Sequence, residues 1–318
     1  MKITLNEITK ALEAENYIAD ESVVYAVYTA LTLEVPLLLE GEAGTGKTAL
    51  AVALKGLIEK HFNDKNTELI RLQCYEGIDY TKVLYDVDYA KKLLRQTLYQ
   101  GVAQKDIQAM LQGRKFKDAV HDLESDMCTE GEEFIIERPV LRAINPKISH
   151  KKVLLIDEID KADSEVENLL LEALGEYSLT IPSIGTIAAD KDNKPIVVLT
   201  SNSVRELSEP LRRRCVYLYI DYASVETEMK ILMTKANVEE SFARSVSQLV
   251  RDIRQCLDLR KNPSIAESIQ WADMLFNHLG VTEISSKYLR ELQMSLNVLG
   301  KNKKDIDKMS IFLESEVK

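Results

Sequence analysis

The segment GEAGTGKT at positions 41–48 restricts the folds open to this 318-residue chain more than any other feature. It matches the pattern GxxxxGK[ST], in which glycines let the backbone wrap closely around a phosphate with its N–H groups pointing inward. An apolar stretch ending at Glu40 precedes the segment, and a stretch with helical periodicity follows it. The order of strand, loop and helix therefore predicts an α/β fold that binds a phosphate-bearing ligand at the helix N-terminus.

The residue types in this loop suit a nucleoside triphosphate bound together with Mg²⁺. Lys47 is expected to supply positive charge to the β- and γ-phosphates, and the hydroxyl of Thr48 is an expected ligand of Mg²⁺. The predicted nucleotide contacts come from the whole loop and the residue after it: Gly41, Glu42, Ala43, Gly44, Thr45, Gly46, Lys47, Thr48 and Ala49.

Five short segments rich in branched aliphatic residues predict the strands of one sheet. Several are apolar at consecutive positions, which is typical of strands buried on both faces. Stretches with helical periodicity separate them, and this alternation predicts a mostly parallel α/β sheet. The predicted strands are 35–40, 68–74, 152–157, 195–200 and 216–220.

The pattern changes from about Ser224 onward, where amphipathic helical patterns follow one another and glycine becomes rare. This change predicts a nucleotide-binding core at residues 1–222 and a helical second domain at 223–318. The region at about 79–145 lies between two predicted core strands and contains helical patterns of its own. It is interpreted as an insertion into the core.

Acidic side chains close the third predicted strand, KVLLID. Asp157 and Glu158 lie at its carboxyl end, where α/β sheets bind their ligands. Asp157 is expected to orient Mg²⁺, through a water molecule, and Glu158 is expected to polarise the attacking water as a general base. Asp160 and Asp163 are interpreted as surface charge and as a helix N-cap, respectively.

The fourth predicted strand is followed by Asn202, whose amide is expected to hold the attacking water or to contact the γ-phosphate. Three arginines, Arg212, Arg213 and Arg214, then end a predicted helix. An arginine can stabilise charge on a transferring phosphoryl group, often from a neighbouring subunit. The other interpretation is a solvated basic cluster that complements the C-terminal end of the helix dipole.

Charge and cysteine content narrow the class of protein. Acidic residues outnumber basic ones, 51 to 41, and the formal net charge is −10, which argues against nucleic acid as the main partner. The N-terminus lacks the apolar core of a signal peptide, and the apolar run at 22–33 is too short to span a bilayer. A cytoplasmic protein without a membrane segment is therefore expected. The cysteines show no CxxC spacing and are interpreted as reduced thiols: Cys74, Cys128, Cys215 and Cys256.

With these features in this order, the chain resembles the AAA+ ATPases, and more narrowly the MoxR group and its CoxD-like branch. The resemblance covers about residues 15–275. It implies an AAA+ P-loop αβα core with a mostly parallel five-stranded sheet, followed by an all-α lid domain, with ATP and Mg²⁺ as cofactors. Beyond the generic motifs it is carried by the passages LLLEGEAGTGKTALA, QCYEGIDYTKVLYDVDYAKKLL, FIIERPVLRAI, LLIDEIDKAD, TIPSIGTI, VVLTSNSVRELSEPLRRRC and NPSIAESIQWA.

The resemblance also implies a quaternary structure, in which ATP binds between the subunits of a homo-oligomeric ring, usually a hexamer. By motif position Arg214 matches the arginine finger best, and Arg213 is the alternate. The run at 177–189 looks like a β-hairpin of this clade, and the segment near 79–112 looks like the region of its helix-2 insertion. Both are implied to face the pore or the partner.

Two positions concern the lid and the base. Many relatives place an arginine in the first turn of one lid helix, but here Glu267 stands at about that position, and Arg260, just upstream, could substitute for it. Tyr17 and Ile18 precede the first core helix, where this fold often cradles adenine. They either contact the base or belong to the core.

The function implied by the resemblance is chaperone-like remodelling, maturation or metal-cofactor assembly of a client protein, driven by ATP hydrolysis. MoxR-type ATPases typically act with a von Willebrand factor A domain protein, and the CoxD-like members resemble factors that mature molybdenum-containing carbon monoxide dehydrogenase. The alternatives are a nucleic-acid motor of the helicase or restriction type, a metal-chelatase motor subunit and a nucleotide-dependent scaffold with little turnover. The residues that argue against the scaffold are Lys47, Asp157, Glu158 and Asn202.

Overall fold

The computed structural model describes residues 3–97 and 131–316. The strands of the described ranges are β1 (Leu37–Glu40), β2 (Glu68–Gln73), β3 (Tyr85–Val87), β4 (Ile135–Glu137), β5 (Lys152–Asp157), β6 (Ser178–Ile181), β7 (Gly185–Ala188), β8 (Ile196–Ser201) and β9 (Val216–Tyr219). Five of them form one sheet with the order β2-β5-β8-β1-β9, and every neighbouring pair is parallel. The predicted five-stranded, mostly parallel sheet is therefore confirmed.

Helices cover both faces of this sheet, which explains why its strands are apolar at consecutive positions. In β5, Leu154 and Ile156 belong to one cluster of buried residues, whereas Val153 and Leu155 belong to a second cluster on the opposite face. The helices of the core are Leu5–Ala14, Glu21–Leu33, Lys47–Phe62, Tyr80–Val83, 89–97, Pro139–Ile144, Ser164–Gly175 and Glu209–Arg213.

The chain after β9 is helical and builds a third apolar cluster of its own around Trp271. The indole of Trp271 is fully buried and donates a hydrogen bond of 2.8 Å to Ser295 Oγ. Arg254 and Glu228 form an ion pair in the same region, with 6% and 1% of their side chains exposed. The helices of this region are Val225–Ala236, Glu240–Cys256, Ile265–Asp273, Leu289–Met294 and Lys303–Glu316, with a π-helical turn at Met274–His278.

Two small antiparallel ribbons extend from the core. Strand β3 pairs with β4, and β6 pairs with β7 to form a hairpin within the run at 177–189. Of the insertion predicted at about 79–145, the part at 98–130 lies outside the described residues, as does Cys128. Within the described ranges, no helix has both the length and the apolar character needed to cross a bilayer.

Two serines at helix N-termini provide a matched test of local stability. Ser224 Oγ accepts a hydrogen bond of 3.2 Å from the Thr227 N–H, so Ser224→Ala should lower the free energy of unfolding by about 1 kcal/mol. Ser208 has the same position before Glu209–Arg213, but its buried hydroxyl has no partner among the described residues. Ser208→Ala should therefore leave stability unchanged or raise it slightly.

Urea unfolding followed by circular dichroism, without nucleotide, measures both changes. Equal losses of stability in the two variants would contradict the capping argument, because only the Ser224 hydroxyl accepts a hydrogen bond from its helix.

Candidate nucleotide site

The predicted phosphate-binding loop connects β1 to the helix Lys47–Phe62, and its shape depends on glycine. A Cβ atom at Gly41 would lie 2.1 Å from the carbonyl oxygen of Ile220. Gly44 has a φ of 82°, and a Cβ atom there would lie 2.4 Å from Ser264 Cβ of the helical region. The loop is thus closely packed between the residue that follows β9 and the helical C-terminal region, and side chains at these two positions would disrupt it.

Lys47 is buried within this loop, with 6% of its surface exposed. Its Nζ donates hydrogen bonds of 2.7 Å to the carbonyl oxygens of Gly41 and Glu42. Burial lowers the pKa of the Lys47 ammonium, and nearby carboxylates, of which Asp160 has the largest effect, oppose this shift. Among the described residues, no carboxylate forms an ion pair with this ammonium, and an anion bound in the loop would provide a countercharge.

Asp157, at the end of β5, lies directly beside the loop with only 5% of its side chain exposed. Its Oδ1 accepts hydrogen bonds from Thr48 Oγ1 at 3.2 Å and from Thr200 Oγ1 at 2.5 Å. Its Oδ2 pairs with the guanidinium of Arg71 at 2.5 Å. The structure therefore brings together the two predicted Mg²⁺ residues, Thr48 and Asp157.

These oxygen atoms suit Mg²⁺, which binds hard oxygen ligands and commonly takes only one or two from the protein while phosphates and water provide the rest. Among the described residues, no group of three or more His, Cys, Asp and Glu side chains could hold a metal ion. The Thr48 hydroxyl and the Asp157 carboxylate are oxygen donors of the kind that Mg²⁺ takes from a protein, so they fit a metal that arrives with a nucleotide.

Glu158 has a left-handed backbone, with a φ of 56°, and its side chain is held by several donors. The amide of Asn202 donates to its Oε1 at 3.1 Å. Gln73 Nε2 and Lys161 Nζ donate to its Oε2 at 2.8 and 2.7 Å. A non-glycine residue in this conformation is strained, and such strain is common where a side chain must be aimed at a site.

Asp160 is not the surface charge that the sequence suggested. It is 3% exposed, and its Oδ2 accepts hydrogen bonds from the backbone N–H groups of Asn202 at 3.1 Å and Val204 at 3.0 Å. The 3₁₀ turn Ile159–Lys161 folds this carboxylate beneath the loop that follows β8. Asp163 occupies the N-cap position of Ser164–Gly175, but its side chain makes no capping hydrogen bond.

None of the three arginines is among the described residues that line the cavity beside the phosphate-binding loop. Arg212 lies 3.8 Å from Glu40, and Arg213 forms an exposed ion pair with Glu209. Arg214 is exposed and donates a hydrogen bond to the carbonyl oxygen of Leu171.

Two cavities meet at the loop. One, of about 570 Å³, is lined by the polar residues already described, among them Lys47, Asp157 and Glu158. The other, of about 610 Å³, lies between the sheet domain and the helical C-terminal region and is lined by Tyr17, Ile18, Tyr222, Ile265 and Ile269 among others. A cavity lined by charged side chains, next to one lined by these aromatic and aliphatic side chains, suits the two ends of a nucleotide.

The helical C-terminal region places one of its helix N-termini, at Ser264, beside the phosphate-binding loop. Ser264 and Glu267 form a capping box, in which Glu267 accepts a hydrogen bond of 2.7 Å from the Ser264 N–H. Glu267 thus caps its own helix. Arg260 is exposed, and within residues 223–316 no arginine lines either cavity.

Several side chains around the carboxylates were not among the predicted site residues: Arg71, Gln73, Lys161 and Thr200. The strand alternation does contain part of this information, since Arg71 and Gln73 stand two residues apart and therefore point to the same face of β2. The alternation does not tell which strand lies next to β2. Gln73 lies beside Asp157 because β2 and β5 are neighbours in the sheet.

The fold and the site together define an ATPase of the AAA+ class: a five-stranded parallel αβα core with a phosphate-binding loop, acidic residues at the end of the neighbouring strand, and a helical C-terminal region. Residues 36–215 match the AAA domain family (dynein-related subfamily), and the chain belongs to this family.

Curated relatives include the Holliday junction branch migration complex subunit RuvB of Wolbachia sp. subsp. Drosophila simulans (strain wRi), which is 26% identical over 202 residues, or 56% of this chain. RuvB of Ehrlichia ruminantium (strain Gardel) is 25% identical over 186 residues, covering 50% of this chain and 56% of that protein. The chain thus spans about 60% of the first relative's length. A solved structure of a RuvB mutant from Thermotoga maritima is similar over 98% of this chain and 71% of the RuvB chain, with a TM-score of 0.44 and 16% sequence identity.

Proposed function

We propose that this chain binds Mg-ATP at the loop 41–48 and hydrolyses it to change the conformation of a partner. The observation that carries the proposal is the position of Glu158, which is hydrogen-bonded to Asn202 and follows directly on the Asp157–Thr48 pair beside the loop. Hydrolysis needs a base and a metal-binding carboxylate next to the same phosphate, and the positions of Glu158 and Asp157 support these two roles.

Each residue at the phosphate end has a proposed task. The loop N–H groups and Lys47 bind the phosphates. Thr48 and Asp157 would hold Mg²⁺, which would supply positive charge to offset that of the phosphates. Glu158 takes a proton from the attacking water, and Asn202 orients that water and the carboxylate. The base of the nucleotide occupies the cavity beside Tyr17 and Ile18, where apolar side chains can contact its ring.

We further propose that the arginine cluster acts on a neighbouring subunit in a homo-oligomeric ring, such as a hexamer. The exposure of Arg213 and Arg214, and their absence from the phosphate cavity of their own chain, support this arrangement. Arg214 is the preferred finger and Arg213 the alternate. An arginine supplied from outside would complete each site only when the ring is assembled.

For the partner, we favour a protein client that is remodelled or fitted with a metal cofactor, as the MoxR and CoxD resemblance implies, together with a von Willebrand factor A domain protein. The net charge of −10 supports a protein over nucleic acid. The second candidate is a DNA motor, which is favoured by the names of the curated relatives. Stimulation of hydrolysis by duplex or branched DNA would select the second candidate.

The experiment that tests the proposal measures the ATPase rate per subunit against protein concentration, with molecular mass followed by light scattering. We expect the rate to rise steeply as a ring assembles in the presence of ATP. The control is Lys47→Ala, which should abolish ATP binding because the phosphate charge loses its buried countercharge. A constant rate from a persistent monomer would reject the ring, and full ATP affinity in Lys47→Ala would reject the site.

A further inference from the structure

Arg71 is a cation at the candidate Mg²⁺ position that the proposed hydrolysis does not use. It lies on β2 and lines the phosphate cavity. Its Nη2 pairs with Asp157 Oδ2 at 2.5 Å and also donates to Gln73 Oε1 at 2.8 Å. The two ends of this ion pair differ in environment, since 54% of the Arg71 side chain is exposed but only 5% of Asp157.

This asymmetry gives the arginine a defined effect. A carboxylate as buried as that of Asp157 is costly to leave without a countercharge. Lys47 is nearby but directs its hydrogen bonds at loop carbonyl oxygens, whereas Arg71 contacts the carboxylate directly. The guanidinium thus compensates Asp157, yet its exposure leaves it free to move toward solvent.

The same guanidinium also reaches the proposed base. Gln73 accepts from Arg71 through its carbonyl oxygen, so its amide group points the other way and donates to Glu158 Oε2 at 2.8 Å. Arg71 and Gln73 therefore connect Asp157 to Glu158 through an unbroken series of hydrogen bonds. A change at the metal-binding carboxylate would reach the base through two side chains.

We propose that Arg71 is a built-in countercation of Asp157, which Mg²⁺ must displace when it binds with a nucleotide, and that this displacement frees Gln73 from the arrangement that holds Glu158. The inference rests on the proposed function, since it assumes that Asp157 is the Mg²⁺ residue. Arg71 is on this view a positioning residue: it sets the metal dependence of nucleotide binding without forming or breaking any bond.

The test measures the affinity for the slowly hydrolysed analogue AMP-PNP by calorimetry, with excess Mg²⁺ and with EDTA. The dissociation constant measured with EDTA, divided by the one measured with Mg²⁺, reports how strongly Mg²⁺ supports binding. In Arg71→Gln this ratio should rise about tenfold, because Mg²⁺ no longer competes with a charge-assisted contact and Asp157 repels a metal-free nucleotide. Arg71→Lys keeps the charge, so its ratio should stay within about threefold of the wild type.

The matched control is Arg142→Gln. Arg142 is also about half exposed, and it pairs at 2.9 Å with Glu68, a carboxylate at the start of β2. It does not line the phosphate cavity. Its ratio should equal that of the wild type. An unchanged or lowered ratio in Arg71→Gln, with thermal unfolding as in the wild type, would overturn the inference.

The proposed function is tested separately in the same titrations. If the wild-type chain bound AMP-PNP no better than Lys47→Ala, the nucleotide site itself would be rejected. If binding depended on Lys47 while the Mg²⁺ ratio ignored Arg71, only the role of Arg71 would be rejected.

Discussion

Replacing Glu158 with glutamine should lower the ATP hydrolysis rate by a factor on the order of 10² to 10⁴ while leaving ATP affinity near that of the wild type. Glutamine has nearly the shape of glutamate, so the hydrogen bond with Asn202 can persist through the amide oxygen. It cannot take a proton from water at neutral pH. Binding and turnover should therefore separate, and the variant should accumulate as an ATP-bound assembly.

The measurement combines single-turnover hydrolysis with equilibrium binding of ATP and with light scattering. Glu165→Gln is the matched control, because Glu165 is an exposed glutamate in the first turn of the next helix and should have no effect on the rate. Hydrolysis close to normal in Glu158→Gln would move the role of base to another residue. A parallel loss of ATP affinity would instead show that Glu158 supports the shape of the site.

The sequence predicted the sheet well because the signals for it are local. Each core strand is a run of branched aliphatic residues, and strands with both faces buried are apolar without interruption, as in β5. The phosphate-binding loop is also local, since the left-handed glycines, Lys47 and Thr48 all lie within a few positions of one another. The acidic pair Asp157 and Glu158 at the end of β5 could be predicted for the same reason.

The surroundings of these carboxylates could not be predicted, because they depend on which strands become neighbours. Arg71 and Gln73 precede these carboxylates by more than eighty positions. Arg71 contacts Asp157 and Gln73 contacts Glu158 only because β2 pairs with β5. Thr200 reaches it from the other side because β5 also pairs with β8. The same cause hid the burial of Asp160, whose partners are the backbone N–H groups that follow β8.

The arginine cluster gives the other large expected effect. Arg214→Ala should lower ATP hydrolysis on the order of 10³-fold while leaving ATP binding near normal, because an arginine finger stabilises charge that develops only in the transition state. Arg213→Ala is the control, because it removes the same charge from the neighbouring position. If only Arg213→Ala lost hydrolysis to this extent, Arg213 would be the finger instead of Arg214. Since Arg214 also donates to the Leu171 carbonyl, thermal unfolding of both variants separates a catalytic loss from a structural one.

Mixing two inactive variants decides whether the finger acts between subunits. Rings of Arg214→Ala alone lack the finger, and rings of Glu158→Gln alone lack the base. In mixed rings, a site that keeps Glu158 in an Arg214→Ala subunit can face Arg214 from a Glu158→Gln neighbour, so part of the hydrolysis activity should return. The returned rate should vary with the ratio of the two variants and be largest when both are abundant. If every mixture stayed inactive although mixed rings had formed, Arg214 would have to act on its own subunit, and its exposed position outside the phosphate cavity would then require a rearrangement when nucleotide binds.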